Sequence, residues 1–350
     1  MPAADPGDPL AQLLAGTYRD PDTGTLLTAS ARSVVIEDSL DGQEAELVAT
    51  QGVGPHLAMV ADEDTFAALG HRVARALEAR FTVQRIVLGR APHADTATLA
   101  RLRDALDPRT DAVVAVGSGT INDLCKLAAV AHGCPQLVFA TAPSMNGYTS
   151  LSASITENGF KHSVRAATPL AAFFDLRVMA AAPRRLICAG LGDSVCRPTA
   201  QADWLLAHLL LDRPYREAPF ALLAGDEPAL LAQSGALVSG DLAVMRSLVR
   251  TLVLSGFGMT ICGGSYPASQ GEHLLSHYVE MMWPVESRAA LHGEQTGVCA
   301  LAMARLQDRV LARDAPPVVR PSTIDRGEVV GRFGSERGEA CWHELSQKLI

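Results

Sequence analysis

The stretch Asp111-Ala112-Val113-Val114-Ala115-Val116-Gly117-Ser118-Gly119-Thr120 decides the fold of this chain. Its first half is short, apolar and rich in β-branched residues, which predicts a buried strand, and residues 121–132 then read as a helix. A glycine turn between a strand and a helix lets backbone N–H groups approach a pyrophosphate closely. Many such turns bind nothing, and the six-residue dinucleotide fingerprint is absent here, so the turn needs independent support.

Working outward, short apolar runs alternate with helical segments such as Thr65–Glu78 up to about Asp175. The predicted strands are Ser33–Glu37, His56–Ala61, Arg85–Leu88, Ala112–Val116, Gln136–Ala140 and Phe173–Asp175. This alternation predicts a mainly parallel α/β sheet covered by helices.

Strand signals nearly vanish after Arg177, and helical segments follow. Examples are Ala200–Leu211, Glu227–Ser234, Leu242–Ser255 and Arg288–Leu306. We therefore predict an α/β dinucleotide-binding domain over residues 1–176 and an all-α domain over residues 177–350 that binds metal and substrate. The active site is expected in the cleft between them.

Composition excludes several classes of protein. The chain has 350 residues, of which 48% are hydrophobic and 19% charged, so it can bury a large core. Its net charge of −8 argues against a nucleic-acid surface. Apolar runs are interrupted before the roughly 18 residues that a membrane span requires, so no membrane insertion is expected. Seven cysteines without paired spacings, and an N-terminus without signal-peptide features, predict a cytoplasmic protein.

A second signal is the run of residues 271–277, Gly-Glu-His-Leu-Leu-Ser-His. His273 and His277 lie four residues apart in a predicted helix, so both imidazoles project from one face, as metal ligands do. A histidine pair alone is more often a surface or satisfied core pair. His292 opens a second helical segment that can fold back and bring a third imidazole to the same place.

A carboxylate would complete this site. Asp193 is the best candidate, because the glycines of Gly190-Leu191-Gly192 leave room around it and a lone buried carboxylate would be costly. Two imidazoles, a carboxylate and an open position describe a catalytic metal centre. Cysteine ligands are less favoured, because most buried cysteines are core residues; the ones considered are Cys188, Cys196 and Cys262.

Five motifs then follow one another along the chain. They are Gly117–Asp123, Thr141–Ser150, Gly192-Asp193, Gly271-Glu272-His273 with His277, and His292-Gly293-Glu294. In this order they resemble the sn-glycerol-1-phosphate dehydrogenases of the iron-containing alcohol dehydrogenase, glycerol dehydrogenase and dehydroquinate synthase superfamily. Residues 16–24 look like the AraM-like bacterial branch. The resemblance covers about Leu10 to Ala304 and implies a dehydroquinate synthase-like fold.

The resemblance implies NAD(H) or NADP(H) as cofactor. The implied cofactor-binding residues are Asp62, Gly117, Gly119, Thr120, Ile121, Asn122, Asp123, Thr141, Ala142, Pro143, Ser144 and Ser150. Asp62 ends a predicted strand, where a carboxylate can accept hydrogen bonds from both ribose hydroxyls and so favour NAD over NADP. The alternative is an ordinary helix N-cap for the segment near Thr65.

The resemblance also implies one divalent metal, whether zinc, nickel or iron, held by Asp193, His273 and His292. Asp193 then also touches substrate and takes part in catalysis, and His277 binds substrate and relays a proton. Three basic residues, Lys161, Arg165 and Arg197, are candidates for a substrate phosphate, against the alternative of solvated surface charges.

One position departs from the family pattern, since relatives commonly carry Asp where this chain has Asn146, a substrate-binding position. Asn keeps the shape but loses the charge and cannot take up a proton. This leaves altered substrate preference, slower turnover, or proton handling wholly on His277.

The expected activity is reversible reduction of dihydroxyacetone phosphate to sn-glycerol 1-phosphate by a homodimer or larger homo-oligomer. The alternatives are a dehydrogenase of another polyol or phosphorylated ketone, and a non-catalytic nucleotide-binding homologue.

Overall fold

The computed structural model describes residues 7–157, 160–283, 290–315, 318 and 320–346. Its strands are β1 (Tyr18–Arg19), β2 (Leu26–Leu27), β3 (Ser33–Glu37), β4 (His56–Ala61), β5 (Thr82–Val87), β6 (Ala112–Gly117), β7 (Gln136–Ala140), β8 (Ser152–Glu157), β9 (Phe160–Arg165) and β10 (Ala171–Asp175). The helices up to β10 are α1 (Pro9–Ala15), α2 (Glu44–Ala49), α3 (Glu63–Thr65), α4 (His71–Glu78), α5 (Thr96–Ala105) and α6 (Gly119–His132). The helices after β10 are α7 (Leu176–Ala181), α8 (Arg184–Val195), α9 (Arg197–Leu211), α10 (Ala218–Ala221), α11 (Asp226–Gln233), α12 (Leu242–Cys262), α13 (Gly271–Met282), α14 (His292–Leu311), α15 (Arg326–Phe333) and α16 (Ser335–Ser346).

The main sheet has six strands in the order β3-β10-β7-β6-β4-β5, and every pair in it is parallel. Strands β6, β7 and β10 are buried along their whole length, with a separate apolar cluster on each face of the sheet. Burial on both faces explains their unbroken apolar sequences. The predicted parallel α/β sheet is confirmed.

Two details of the sheet were missed by sequence reasoning. Strand β5 begins at Thr82 rather than Arg85, because it is an edge strand whose first residues are exposed or half-buried. The antiparallel hairpin of β8 and β9 lies apart from the main sheet. Its serine- and threonine-rich sequence carries no apolar run, so nothing in the sequence marked it as strand.

Helices make up the half of the chain after β10, as predicted, and within the described residues no strand follows Asp175. The predicted helix from Arg288 instead begins at His292, and residues 284–289 lie outside the described residues. The domain boundary at residue 176 stays a prediction.

Ion pairs and hydrogen bonds join the N-terminal segment to the helical half. The Arg250 guanidinium lies 2.6 Å from Asp8 Oδ1 and 2.9 Å from Asp226 Oδ1. Asp22 accepts hydrogen bonds from the backbone N–H groups of Glu217 and Ala218. The Arg250 guanidinium and the Asp22 carboxylate therefore join the beginning of the chain to residues more than 190 positions later.

Helix α12 corrects the expectation about apolar runs. With 21 residues it is long and apolar enough to cross a membrane by length and composition, but 72% of that window is buried inside the protein. A helix that is apolar on all sides and mostly buried is typical of a protein core. It is therefore weak grounds for a membrane span.

Helices α8 and α14 meet backbone to backbone. A Cβ added at Gly192 would lie 2.0 Å from the Gly293 carbonyl oxygen, and one added at Gly293 would lie 1.9 Å from the Ala189 carbonyl oxygen. No side chain fits into this contact, because backbone atoms cannot rotate away. The contact places the first residue of α14, His292, beside the end of α8.

Replacing Gly293 by Ala should therefore destabilise the protein by about 1–3 kcal/mol or more, the cost of overpacking a close contact. Urea unfolding measures this loss. The control is Gly331→Ala in α15, where a Cβ would meet nothing within 4 Å. The control should leave stability unchanged or raise it by up to about 1 kcal/mol. Equal stability of the two variants would show that the helices can separate without cost.

Candidate active site

Three helices each supply one residue to a compact group of ligand atoms. Asp193 lies in the last turn of α8, His273 in the first turn of α13, and His292 begins α14. One ligand atom from each residue lies within 4.8 Å of the others. His292 Nε2 is 3.9 Å from Asp193 Oδ1, and the rings of His273 and His292 have centroids 5.0 Å apart. The three residues selected from the sequence therefore meet at one place.

Asp193 is almost fully buried, with 1% of its surface exposed. Its Oδ2 accepts a hydrogen bond of 2.8 Å from the Asn146 backbone N–H, which fixes the carboxylate from one side. The Asn146 side chain extends elsewhere, with Nδ2 at 3.4 Å from Ser255 Oγ. Residue 146 thus contributes to the site through its backbone whichever side chain it carries.

Glu272 is a site residue that sequence reasoning missed. It is fully buried, and its Oε1 lies 2.8 Å from His273 Nδ1 while also accepting from the Gln270 backbone N–H at 2.9 Å. A carboxylate at this nitrogen favours the tautomer with the proton on Nδ1, which turns Nε2 into the free electron-pair donor. The signal available in the sequence was the acid directly preceding a candidate ligand.

Cys196 lies beside this pair, and its thiol, the Glu272 carboxylate and the His273 imidazole form a second group within 4.8 Å. Its Sγ donates to the Asp193 carbonyl at 3.0 Å. Burial, together with the neighbouring carboxylates, raises the pKa of the Cys196 thiol well above its usual value. A neutral thiol is a poor metal ligand, so the set of Asp193, His273 and His292 is the better one.

His277 lies one turn beyond His273 on α13 and is exposed. The two ring centroids are 6.4 Å apart with the planes nearly perpendicular. The His277 ring therefore lies next to the ligand group formed by Asp193, His273 and His292 but is not one of its members.

The glycine turn lies where the sequence placed it, between buried β6 and α6. A Cβ at Gly117 would lie 2.5 Å from Ile121 Cβ, so the tight turn requires glycine. The Thr141 backbone N–H donates to the Gly117 carbonyl at 3.2 Å, which brings the next loop alongside. The two predicted cofactor segments are thus neighbours at the carboxyl end of the sheet, the edge where open α/β sheets bind ligands.

Asp62 forms a helix cap. Its Oδ1 accepts from the Thr65 backbone N–H at 2.8 Å, and the Thr65 hydroxyl accepts from the Asp62 N–H at 3.0 Å. The N-cap alternative is therefore present in the structure, and the ribose contact of Asp62 stays a prediction.

Lys126 organises the loop between β7 and β8, a role that sequence reasoning missed. Its Nζ donates to the carbonyls of Gly147, Ser150 and Ser152 at 2.6, 2.8 and 3.1 Å. Burial lowers the pKa of Lys126 to about 8, partly offset by the charge of Asp123. The ammonium group therefore fastens the loop that carries Asn146 and Ser150 to the start of β8.

The same helix positions the rest of the loop and hairpin. Asp123, a predicted cofactor residue, accepts from the Ser154 backbone N–H at 3.0 Å. Pro143 and Ser144 touch α8, because a Cβ at Gly190 would lie 1.6 Å from the Pro143 carbonyl oxygen. Ala142 accepts from the Tyr148 hydroxyl at 2.7 Å. The predicted cofactor loop is thus packed between α6 and α8.

The basic residues considered for a substrate phosphate differ in how exposed they are. Arg197 is 2% exposed and lies 3.6 Å from Glu227 and over the Phe220 ring, so the expectation of a solvated charge is wrong for it. Arg165 is exposed at the end of β9. The Lys161 side chain lies outside the described part of the chain.

Comparison with known proteins gives this arrangement a family. The sequence model of the iron-containing alcohol dehydrogenase family matches residues 35–183 of this chain. A glycerol-1-phosphate dehydrogenase (NAD(P)+) of Bacillus velezensis is 32% identical over 342 residues, which are 91% of this chain and 86% of that protein. The chain belongs to the glycerol-1-phosphate dehydrogenase family. An enzyme of the same name from Pyrococcus furiosus is 35% identical over 237 residues, 68% of this chain and 67% of that one.

Solved structures agree on the fold of this glycerol-1-phosphate dehydrogenase family member. The crystal structure of a probable glycerol dehydrogenase from Sinorhizobium meliloti 1021 has a TM-score of 0.64 and 20% identity, covering 79% of this chain and 77% of the other. The resemblance inferred from the motifs and the predicted fold class are both confirmed.

Proposed function

We propose that this chain is a metal-dependent, NAD(P)-linked dehydrogenase that reversibly reduces dihydroxyacetone phosphate to sn-glycerol 1-phosphate. The observation that carries the proposal is the convergence of Asp193, His273 and His292, whose ligand atoms lie within 4.8 Å, in a chain of this family. Relatives that bear the same enzyme name support the substrate.

The donor set fits a divalent metal. Two imidazole nitrogens and one carboxylate oxygen suit zinc, nickel or iron, and three protein ligands leave a position for substrate. Glu272 at His273 Nδ1 is the outer partner that such a ligand usually has. A divalent ion bound here supplies Lewis-acid polarisation of the substrate carbonyl.

The remaining roles belong to residues around this set. Asp193 holds the Asn146 backbone at the substrate position, and a ring nitrogen of His277 donates a proton to the substrate oxygen during reduction and takes it back during oxidation. Gly117 and Gly119 would hold the pyrophosphate at the α6 N-terminus, and the loop carrying Thr141, Ser144 and Ser150 would hold the nicotinamide half. A nicotinamide bound there would provide the hydride chemistry of both directions.

A second candidate function differs only in substrate. Asn146 replaces the acid common among relatives, and its amide is directed to Ser255 at 3.4 Å. An amide in place of a carboxylate favours a different pattern of substrate hydroxyls. Another polyol or phosphorylated ketone is therefore the alternative, whereas retention of all three ligand residues counts against a non-catalytic homologue.

Exposed leucines support the predicted homo-oligomer. Helix α9 exposes Leu206, Leu209 and Leu210, and α14 exposes Leu301 and Leu311. The two helices are in contact. Apolar residues concentrated on neighbouring helices mark interaction surfaces, and a second copy of this chain is the partner we propose.

The central test is a metal-loaded substrate panel. Purified protein loaded separately with zinc, nickel or ferrous iron should oxidise NADH or NADPH only when dihydroxyacetone phosphate is present. Absence of that turnover with every metal and both cofactors refutes the proposed activity. A much higher kcat/KM with another ketone selects the second candidate.

Removing a ligand should separate the roles of the three histidines. His273→Ala and His292→Ala should each abolish stoichiometric metal and turnover while the fold remains, because a three-ligand site loses a third of its donors. His277→Ala should keep its metal while kcat falls about 10²-fold or more, the scale for losing a general acid–base group. Metal content by mass spectrometry, circular dichroism and steady-state kinetics check these outcomes. Metal loss in His277→Ala with retention in His292→Ala contradicts the ligand set.

Glu272→Gln should weaken metal affinity about 10-fold, and Glu272→Ala up to about 100-fold, because His273 loses the carboxylate that orients its ring. Competition with a chelator measures the dissociation constant. Glu280→Gln, two turns further along α13, is the matched control and should retain wild-type affinity. Unchanged affinity in both Glu272 variants would limit its role to the start of the helix.

A further inference from the structure

We propose that Arg165 provides the cation of a phosphate-binding cleft for the substrate, between the β8–β9 hairpin and the loop after α12. This inference rests on the proposed function, since it assigns the substrate's phosphate group to a place on the protein. It names the residue that distinguishes a phosphorylated ketone from its unphosphorylated counterpart.

The cleft has a volume of about 300 Å³. One wall carries Ser152, Ser163 and Arg165, and the opposite wall carries Gly263, Ser265 and Tyr266. Its polar groups are thus one guanidinium and several hydroxyls. Guanidinium and hydroxyl donors together match the acceptor oxygens of a phosphate monoester.

Strand register places the donors of the first wall together. Ser152 of β8 pairs directly with Arg165 of β9, and Ser163 lies two residues before Arg165. Residues two apart on a strand share a face, and so do directly paired residues on neighbouring strands. The three side chains therefore project from the same face of the hairpin, into the cleft.

Both walls continue into the elements that hold the ligand group. Lys126 ties the carbonyls of Ser152 and Gly147 together, and Gly147 directly follows Asn146, whose N–H binds Asp193. The other wall begins where α12 ends, at Gly263, and leads into α13 with His273 in its first turn. The cleft is thus linked by hydrogen bonds and by the chain itself to the elements that hold the ligand group.

The net charge of the chain and the ion pairs of its other arginines also favour Arg165. The chain carries a net charge of −8, so a dianionic phosphate needs a local cation. Arg197 is occupied by Glu227, and Arg216 by Asp20 and Asp22. Among the residues that the structure describes, Arg165 has no carboxylate partner within ion-pair distance and lines a cleft, which leaves its charge available to a ligand.

Two variants and one control test this assignment in the metal-loaded enzyme. The quantity measured is the ratio of kcat/KM for dihydroxyacetone phosphate to kcat/KM for dihydroxyacetone. Arg165→Ala should lower this ratio about 10- to 100-fold, the value of a charge-assisted hydrogen bond to phosphate. Arg165→Lys should recover part of it, because it keeps the charge without the planar fork. Arg332→Ala, which removes an exposed arginine of α15, is the control and should keep the wild-type ratio.

The cofactor also carries phosphate, so KM for NADH is measured in parallel. A rise in KM for NADH with an unchanged substrate ratio assigns the cleft to the cofactor and overturns the proposal, as does a ratio within about twofold of wild type in Arg165→Ala.

Calorimetry with inorganic phosphate separates this proposal from the proposed function. Wild-type enzyme should bind phosphate at least about 10-fold more tightly than Arg165→Ala. If wild-type enzyme turns over no phosphorylated ketone, the proposed function fails while this difference still tests the cleft. Equal phosphate affinity of the two proteins overturns the cleft on its own.

Discussion

The contact on which the site depends is the backbone approach of α8 to α14 at Gly192 and Gly293. The adjoining residues are Asp193 and His292, so the separation of the two helices sets the distance between a carboxylate and an imidazole. An ion pair between Arg185 in the first turn of α8 and Glu294 in the first turn of α14 also joins these two helices. A hydrogen bond of 2.9 Å from the Ser276 hydroxyl to the Gln295 side chain joins α13 to α14. Three donor atoms on three helices can meet only because two of these helices carry no side chain at their crossing.

The sheet was predictable from the sequence because its central strands are buried on both faces, and such strands must be apolar throughout. The β8–β9 hairpin was not, since it packs outside the sheet and its serines and threonines resemble a loop. The helix predicted over Glu227–Ser234 was recovered to within one residue as α11, whereas α12 continues seven residues past the predicted end at Ser255. The start of α14 was not recovered, since the helix predicted from Arg288 begins at His292, and periodicity locates a helix better than it locates its ends.

Within the site, His273 was selected by its spacing from His277, His292 because its segment can fold back, and Asp193 by its small neighbours; the structure brings these three predicted ligands together. Glu272, Lys126 and Arg197 were not recognised as buried, because a charged residue in a sequence looks the same whether water or a partner surrounds it. Their burial is decided by groups distant in the chain, such as the Gly147 and Ser152 carbonyls for Lys126. Partners of this kind follow from the fold and are not encoded locally.

The attachment of residues 8–22 to Arg216 and Arg250 has a consequence for folding. Residues 8–22 precede the whole sheet in the chain, yet their hydrogen-bond partners lie 196 and 242 positions later. These contacts can close only after the segment and α12 have come together around the intervening sheet. Contacts of such long range slow folding. In the chain, the α/β region therefore lies between two segments, residues 8–22 and the helices after β10, that bind to each other in the folded protein.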